Sequence, residues 1–157
     1  MAEPIIREIS LKDADTVCAQ RLSVFLEDGR SLDLMKTAMP PFRAWLISRL
    51  RSGQYQGWLV EQDGRPFAGC GLMFIDWAPG PSHPQSDRRG FVLNLWVEPD
   101  RRGQGWGRAL MQRVEAEARA RQVHYLVLHA SKLGRGLYEA LNWRPTNEMA
   151  LALSPEA

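Results

Sequence analysis

Residues 102–108 read Arg-Gly-Gln-Gly-Trp-Gly-Arg and stand between an apolar run, Phe91 to Val97, and an amphipathic run that continues to Arg121. A glycine-rich turn that opens straight into a helix has a definite chemistry. The main-chain N–H groups of the turn and of the first helical turn lack intrahelical acceptors, and the positive end of the helix dipole lies behind them. An anion is the natural occupant, and a phosphorylated ligand is its natural source. A P-loop ends in Gly-Lys-Ser/Thr, whereas Gly107 is followed by Arg108 and Ala109. A dinucleotide fingerprint counted from Gly103 and Gly105 needs a third glycine where the chain has Arg108. Neither of those loops fits. The remaining chemistry-bearing residues are scattered: His83, His124 and His129 have no ligand spacing with one another or with Cys18 and Cys70, so no metal is expected.

The elements that must hold the turn follow from periodicity. Phe91, Leu93, Leu95 and Val97 alternate with Val92, Asn94 and Trp96, which predicts a strand over Gly90–Val97 with Asn94 as its odd member. Leu110, Met111, Val114 and Ala118 recur at helical spacing, and Glu115–Arg119 and Glu117–Arg121 form i,i+4 pairs on the wet face of that helix. Val123–His129 reads as a second apolar strand, followed by a short helix over Gly136–Trp143. Upstream, Pro4–Ile9 predicts a strand, and Ser10 or Asp13 caps a helix that runs to about Leu26 on Ala14, Val17, Cys18, Leu22 and Phe25. Glu27-Asp28-Gly29 ends it, with Gly suited to a left-handed cap and with acids where the helix dipole disfavours them. Residues 30–41 are irregular up to Met39-Pro40-Pro41, and Phe42–Leu50 suggests a further helix. Gly57–Gln62 and Phe67–Trp77 form a hairpin around Asp63-Gly64-Arg65-Pro66, with Gly69 and Gly71 marking a bulge or a close backbone approach. Ala78–Arg89, with three prolines, is a long loop.

A chain of 157 residues, 45% hydrophobic and 24% charged, falls in the range of one globular domain. Its net charge of +2 comes from dispersed arginines, and the doublets Arg88-Arg89 and Arg101-Arg102 are too small to argue for nucleic acid. No window approaches the ~20 apolar residues of a membrane span, and no signal peptide is visible. A cytoplasmic protein with Cys18 and Cys70 as free thiols is the expectation.

Arg102-Gly103-Gln104-Gly105-Trp106-Gly107, preceded by Val97-Glu98-Pro99, resembles the Arg/Gln-x-x-Gly-x-Gly/Ala signature of the GCN5-related N-acetyltransferases (GNAT). Leu137-Tyr138-Glu139-Ala140-Leu141-Asn142-Trp143 is similar to that family's Leu-Tyr-Glu-x-Leu-Gly-Phe block, with Asn142-Trp143 in place of Gly-Phe. Strand, loop, helix, strand and tyrosine helix occur in the family's order across residues 91–143. The resemblance implies an α/β fold in one domain over residues 1–157. Its mixed central sheet would have about six or seven strands, the last over 148–153, with about four helices and a splay between the two central parallel strands. It implies acetyl-CoA as cosubstrate, with the pyrophosphate at Arg102, Gly103, Gln104, Gly105, Trp106, Gly107 and Arg108. The pantetheine would lie along Leu95, Trp96 and Val97. Ser131, where many members have Asn, either touches the coenzyme or caps the helix.

On this resemblance the reaction is direct attack of a primary amine on the thioester in a ternary complex, and Tyr138 protonates the departing thiolate. A backbone N–H near Leu95–Val97 would meet the thioester oxygen. The alternative is a non-catalytic acyl-CoA-binding or protein-interaction module of the same fold. Glu98, Asp76, Asp87 and the Glu27-Asp28 pair are the candidates for the base, but each reads first as a surface carboxylate with no catalytic role, and none is named as catalytic. The acceptor is a small-molecule or peptide amine whose choice rests with Ser10–Leu50 and Ala78–Arg89, where the acids lean towards a cationic one. Edge strands and tryptophans are compatible with a homodimer.

Overall fold

A computed structural model describes residues 1–154 of the chain. Strands Ile5–Glu8 (β1), Tyr55–Gln62 (β2), Arg65–Asp76 (β3), Arg88–Val97 (β4) and Leu126–Leu128 (β5) form one sheet in that order. The first three junctions are antiparallel and β4–β5 is parallel. Alternation along the strands divides the core. Trp58, Val60, Cys70, Leu72 and Phe74 point into one layer with Leu110, Met111 and Val114 of helix Trp106–Ala120 (α3) and Tyr138 of helix Arg135–Ala140 (α4). Tyr55 and Leu59 point the other way, into a layer with Ala14 and Val17 of helix Ala14–Glu27 (α1) and Leu46 of helix Leu32–Ser52 (α2).

β4 breaks the alternation that its sequence predicts. Gly69 pairs with Trp96 and Gly71 with Leu93, so Asn94 and Leu95 together oppose Cys70. This is a bulge, and Asn94 takes the left-handed conformation (φ 59°) that Asn tolerates better than most side chains. Its consequence is that Leu93 packs in the α1–α2 layer while Leu95 and Val97 pack in the α3–α4 layer. The expected single face of Phe91, Leu93, Leu95 and Val97 is therefore split. The two glycines opposite serve close approach: a Cβ on Gly69 would collide with Gln20 of α1, and one on Gly71 with the Tyr55 hydroxyl.

β5 is shorter than the predicted Val123–His129 and pairs with β4 only from Gly90 to Val92. Beyond Val92, β4 runs on to Val97 with its β5-side edge bare, which is the expected splay.

Two other expectations are corrected. The sheet has five strands among the described residues, not six or seven, because residues 148–153 form no ladder. That segment stands off from β5 across a groove of about 1170 Å³, leaving Met149, Leu151 and Leu153 almost fully exposed. A strand cannot form without a partner edge within hydrogen-bonding distance. The second correction is α2, which is continuous from Leu32 through Pro40 and Pro41. Ser31 caps it by accepting the Leu34 N–H at 3.2 Å, and burial of Met35 and Leu46 on either side of the prolines outweighs two missing main-chain donors.

The chain enters α1 through a capping box in which the Asp13 carboxylate accepts the Ser10 N–H at 2.7 Å. Arg7 grips the same carboxylate with Nη1 and Nη2, at 3.0 and 2.8 Å, and Glu61 of β2 with Nε at 2.7 Å, tying β1, β2 and α1 together. The Arg7 hydrogen bonds, opposed by burial and helped by the Ser10 N–H, hold the Asp13 carboxyl below its usual range. A depressed folded-state pKa gives stability that is complete above the unfolded value, near pH 4, and fades as pH falls through the folded one. Asp13→Asn should therefore lower the unfolding free energy by about 1–3 kcal/mol at pH 7. Urea titrations at pH 7 and pH 3 should find the gap to wild type narrower at the lower pH.

Candidate active site

α3 starts at Trp106 behind Gly105, which is left-handed (φ 90°) and supplies no side-chain cap. Gly103 is left-handed as well (φ 74°). Alternating handedness curls the backbone so that successive amides face one hollow. Among the described residues no acceptor takes the N–H groups of Gly103 to Arg108, and the first returning bond is from the Ala109 N–H to the Gly105 carbonyl at 3.0 Å. Positive φ is what requires glycine at 103 and 105, since a Cβ at either would meet nothing within 4 Å. Gly107 has another reason: a Cβ there would lie 2.9 Å from Leu137 Cδ2. That contact brings α4 against the loop.

The loop, the bare edge of β4 and the start of α4 enclose one cleft of about 1160 Å³, a volume suited to a ligand larger than a typical drug-sized molecule. Leu95, Trp96 and Val97 form its β4 wall, Gly103, Gly105, Trp106, Gly107 and Arg108 its floor, and Ser131 and Tyr138 the side opposite. Arg108 makes no ion pair among the described residues, so the floor has a free cation beside the open amides. The Tyr138 hydroxyl has no hydrogen-bond partner there either, and burial, with a smaller push from Cys70, raises its pKa so that it stays protonated. Ser131 Oγ accepts the Gly134 N–H at 3.1 Å, so it shapes the turn into α4 while its residue lines the cleft.

The acids that sit awkwardly at the end of α1 have a partner across the cleft mouth. Glu27 accepts two bonds from Arg102 Nη2, at 2.8 and 2.9 Å, and one from Trp96 Nε1 at 3.1 Å, while Arg102 Nε donates to the Val97 carbonyl. Arg102 is thus a strut between α1, β4 and the loop. Gln104 does not line the cleft; its side chain turns back to the Asp100 carbonyl at 3.3 Å. Of the candidate bases, Glu98 is paired with Arg65, and neither it nor Asp76 nor Asp87 reaches the cleft. Glu27 and Asp28 do.

The family model described as "Acetyltransferase (GNAT) family" matches residues 21–143. The chain belongs to this family. It is 32% identical over 142 residues to an "IAA acetyltransferase" of Azospirillum brasilense, covering 87% of this chain and 75% of that one. It superposes on the GCN5-related N-acetyltransferase of Ralstonia eutropha JMP134 with a TM-score of 0.94 at 44% identity, covering 96% and 99% of the two chains. A predicted acetyltransferase of Clostridium acetobutylicum, solved with acetyl-CoA, gives 0.83 at 26% identity with 96% coverage of both.

As a GNAT member the chain brings Tyr138 and every residue expected to hold the coenzyme except Gln104 to one cleft, while the base candidates Glu98, Asp76 and Asp87 stay outside it. It adds residues that sequence reasoning missed: Val24 at the α1 wall, and Lys132, Leu133 and Gly134 on the way to α4. Val24 fits the apolar repeat of α1 as well as any core residue, and the 132–134 turn has no periodicity to give it away. No group of three or more His, Cys, Asp or Glu is placed to hold a metal among the described residues. No described helix is long and apolar enough to cross a membrane.

The Gly107–Leu137 contact gives a direct test. Gly107→Ala should cost about 1–2 kcal/mol, from overpacking against α4. In a Leu137→Ala background the same substitution should cost much less, and a double-mutant cycle by chemical denaturation reads the difference.

Proposed function

We propose that this GNAT member transfers the acetyl group of acetyl-CoA to a primary amine by direct attack within a ternary complex. The observation that carries the reading is the run of unpaired amides from Gly103 to Arg108 in front of α3, in the same cleft as a protonated, unpartnered Tyr138. The diphosphate of the coenzyme sits on those amides with Arg108 beside it, and the pantetheine lies along the bare edge of β4 at Leu95–Val97, where a free main-chain N–H polarises the thioester oxygen. Arg102 contributes by holding the loop against α1, and Gln104 by closing the turn.

The amine nitrogen attacks the carbonyl carbon, the C–S bond breaks, and the leaving thiolate takes the Tyr138 proton. In water a phenol gives its proton to a thiolate reluctantly, with reference pKa values of about 10 and 8.5. Burial raises the basicity of both, so placement at the sulfur decides the transfer. The ammonium proton of the substrate leaves to Asp28 or to cleft water, since Glu27 is engaged by Arg102. The two free cysteines and the coenzyme requirement suit the cytoplasm.

A homodimer belongs to the same proposal. The groove between β5 and residues 148–150 has the lining of an empty strand position, with Leu126, Leu128 and Trp143 on one side and Met149 on the other. The exposed 148–153 segment of a second copy, exchanged symmetrically, fills it and buries Met149, Leu151 and Leu153. Light scattering should report a dimer for the full chain and a monomer for Met149→Asp/Leu151→Asp; a monomeric wild type removes this part.

For the transfer itself, calorimetry should detect CoA and acetyl-CoA binding, and CoA release over a panel of primary amines should identify an acceptor. Tyr138→Phe should lower kcat about 10²-fold or more while acetyl-CoA affinity stays within about threefold. Binding without turnover on a broad panel would favour the non-catalytic module.

A further inference from the structure

α1 carries one cation, Arg21, and among the described residues it forms no ion pair. Its guanidinium lies 4.7 Å from the ring centroid of Phe25 and 4.2 Å from that of Phe42. Nη1 donates to Asn94 Oδ1 at 2.7 Å, while Asn94 Nδ2 donates to the Tyr55 hydroxyl at 2.9 Å. The other guanidinium N–H groups have no acceptor among the described residues, and Arg21 is not among the residues whose unpartnered polar atoms are sealed from solvent. Asp13 and Glu61 pair with Arg7, Asp15 with Arg43 and Glu27 with Arg102, and among the described residues Arg21 forms an ion pair with no carboxylate, the unpaired Asp28 at the end of α1 included. Burial lowers the Arg21 pKa, as expected for a cation stripped of water without compensation. A half-dehydrated guanidinium with open donors and aromatic sides is costly when empty and strong when an anion arrives.

Its location ties it to the reaction. Val24, one turn further along α1, and Leu95, next to Asn94, both line the cleft. Arg21 is itself outside the cleft lining and sits beside that wall on the α1–α2 side of the bulge, where an acceptor approaching from that side would meet it under the proposed reaction. The acids that lean towards a cationic acceptor in the sequence include Glu27 and Asp15, and both are neutralised by arginines.

We infer that Arg21 binds a carboxylate of the acceptor, so the substrate class is amines that bear a carboxylate, such as amino acids, and not polyamines or other purely cationic amines. This rests on the acetyl-transfer reading above. A guanidinium that only braced Asn94 would affect every amine alike.

The test uses the full chain with acetyl-CoA, following CoA release with phenylalanine, methionine and glutamine against their carboxamides and against spermidine. Wild type should prefer each acid over its amide by about tenfold or more in kcat/KM, and Arg21→Gln should reduce that ratio by about ten- to a hundredfold, the range expected for a charged hydrogen bond. The ratio is unaffected by partial unfolding of the variant. Equal use of acids and amides, preference for spermidine, or an unchanged ratio in Arg21→Gln overturns the inference. Without any turnover, titration of N-acetylphenylalanine and its amide into CoA-saturated protein reads the same site, and equal affinities again overturn it. Failure of CoA itself to bind strikes the acetyl-transfer reading first and takes this inference with it.

Discussion

A strand that keeps strict alternation presents every second side chain to the same helix layer, and β4 cannot do so because Asn94 turns left-handed halfway along it. The extra residue re-aims everything downstream. Leu95 and Val97 move into the α3–α4 layer, Trp96 reaches α1, and the strand edge beyond Val92 parts from β5. The bulge is held from the α1–α2 side, by Tyr55 and Arg21 on the Asn94 amide. Left-handed backbone costs an Asn about a kcal/mol relative to extended strand, which two well-aligned side-chain hydrogen bonds offset. The kink follows directly on the last β4–β5 pair at Val92, and the bare edge beyond it forms one wall of the cleft.

Two contacts transmit the position of this strand to the glycine loop. The bidentate Glu27–Arg102 pair, with Trp96 on the same carboxylate, spans α1, β4 and the loop entrance. It is about two-thirds buried, and its contribution to stability is modest, but its geometry is demanding. The packing of Leu137 on Gly107 then couples the loop to α4 and so to Tyr138. The cleft is assembled from three segments far apart in sequence, and each junction is one specific side chain wide.

What the sequence disclosed, and what it withheld, follows from the range of the forces involved. The α3 stripe and the glycines at 103 and 105 were legible because each rests on interactions within a few residues, whereas the tyrosine of α4 was singled out by the resemblance to a family motif. The end of α1 was half legible: Gly29 is left-handed as its type suggests, but the misplaced acids made sense only once Arg102, 75 residues away, came into contact with Glu27. Asn94 was visible as an oddity and not as a bulge, since a one-residue slip in strand alternation is decided by the partner strand. α2 was misread at Met39-Pro40-Pro41 because proline's local cost is visible in sequence, whereas the burial of Met35 and Leu46 that outweighs it is not. The 148–153 segment alternates too little to read as a strand by itself; the family resemblance supplied that expectation, and the described chain offers the segment no edge within reach.

The two prolines of α2 have a mechanical effect. Lacking N–H groups, Pro40 and Pro41 leave the carbonyls of Lys36 and Thr37, both solvent-facing residues, to water. The helix is short of two main-chain hydrogen bonds at that point, and the buried side chains of Met35 before it and Leu46 after it hold the two halves in place. Phe42, which flanks Arg21, lies just beyond the prolines, on the Leu46 side. The aromatic neighbour of the guanidinium is therefore placed by the half of the helix that Leu46 anchors.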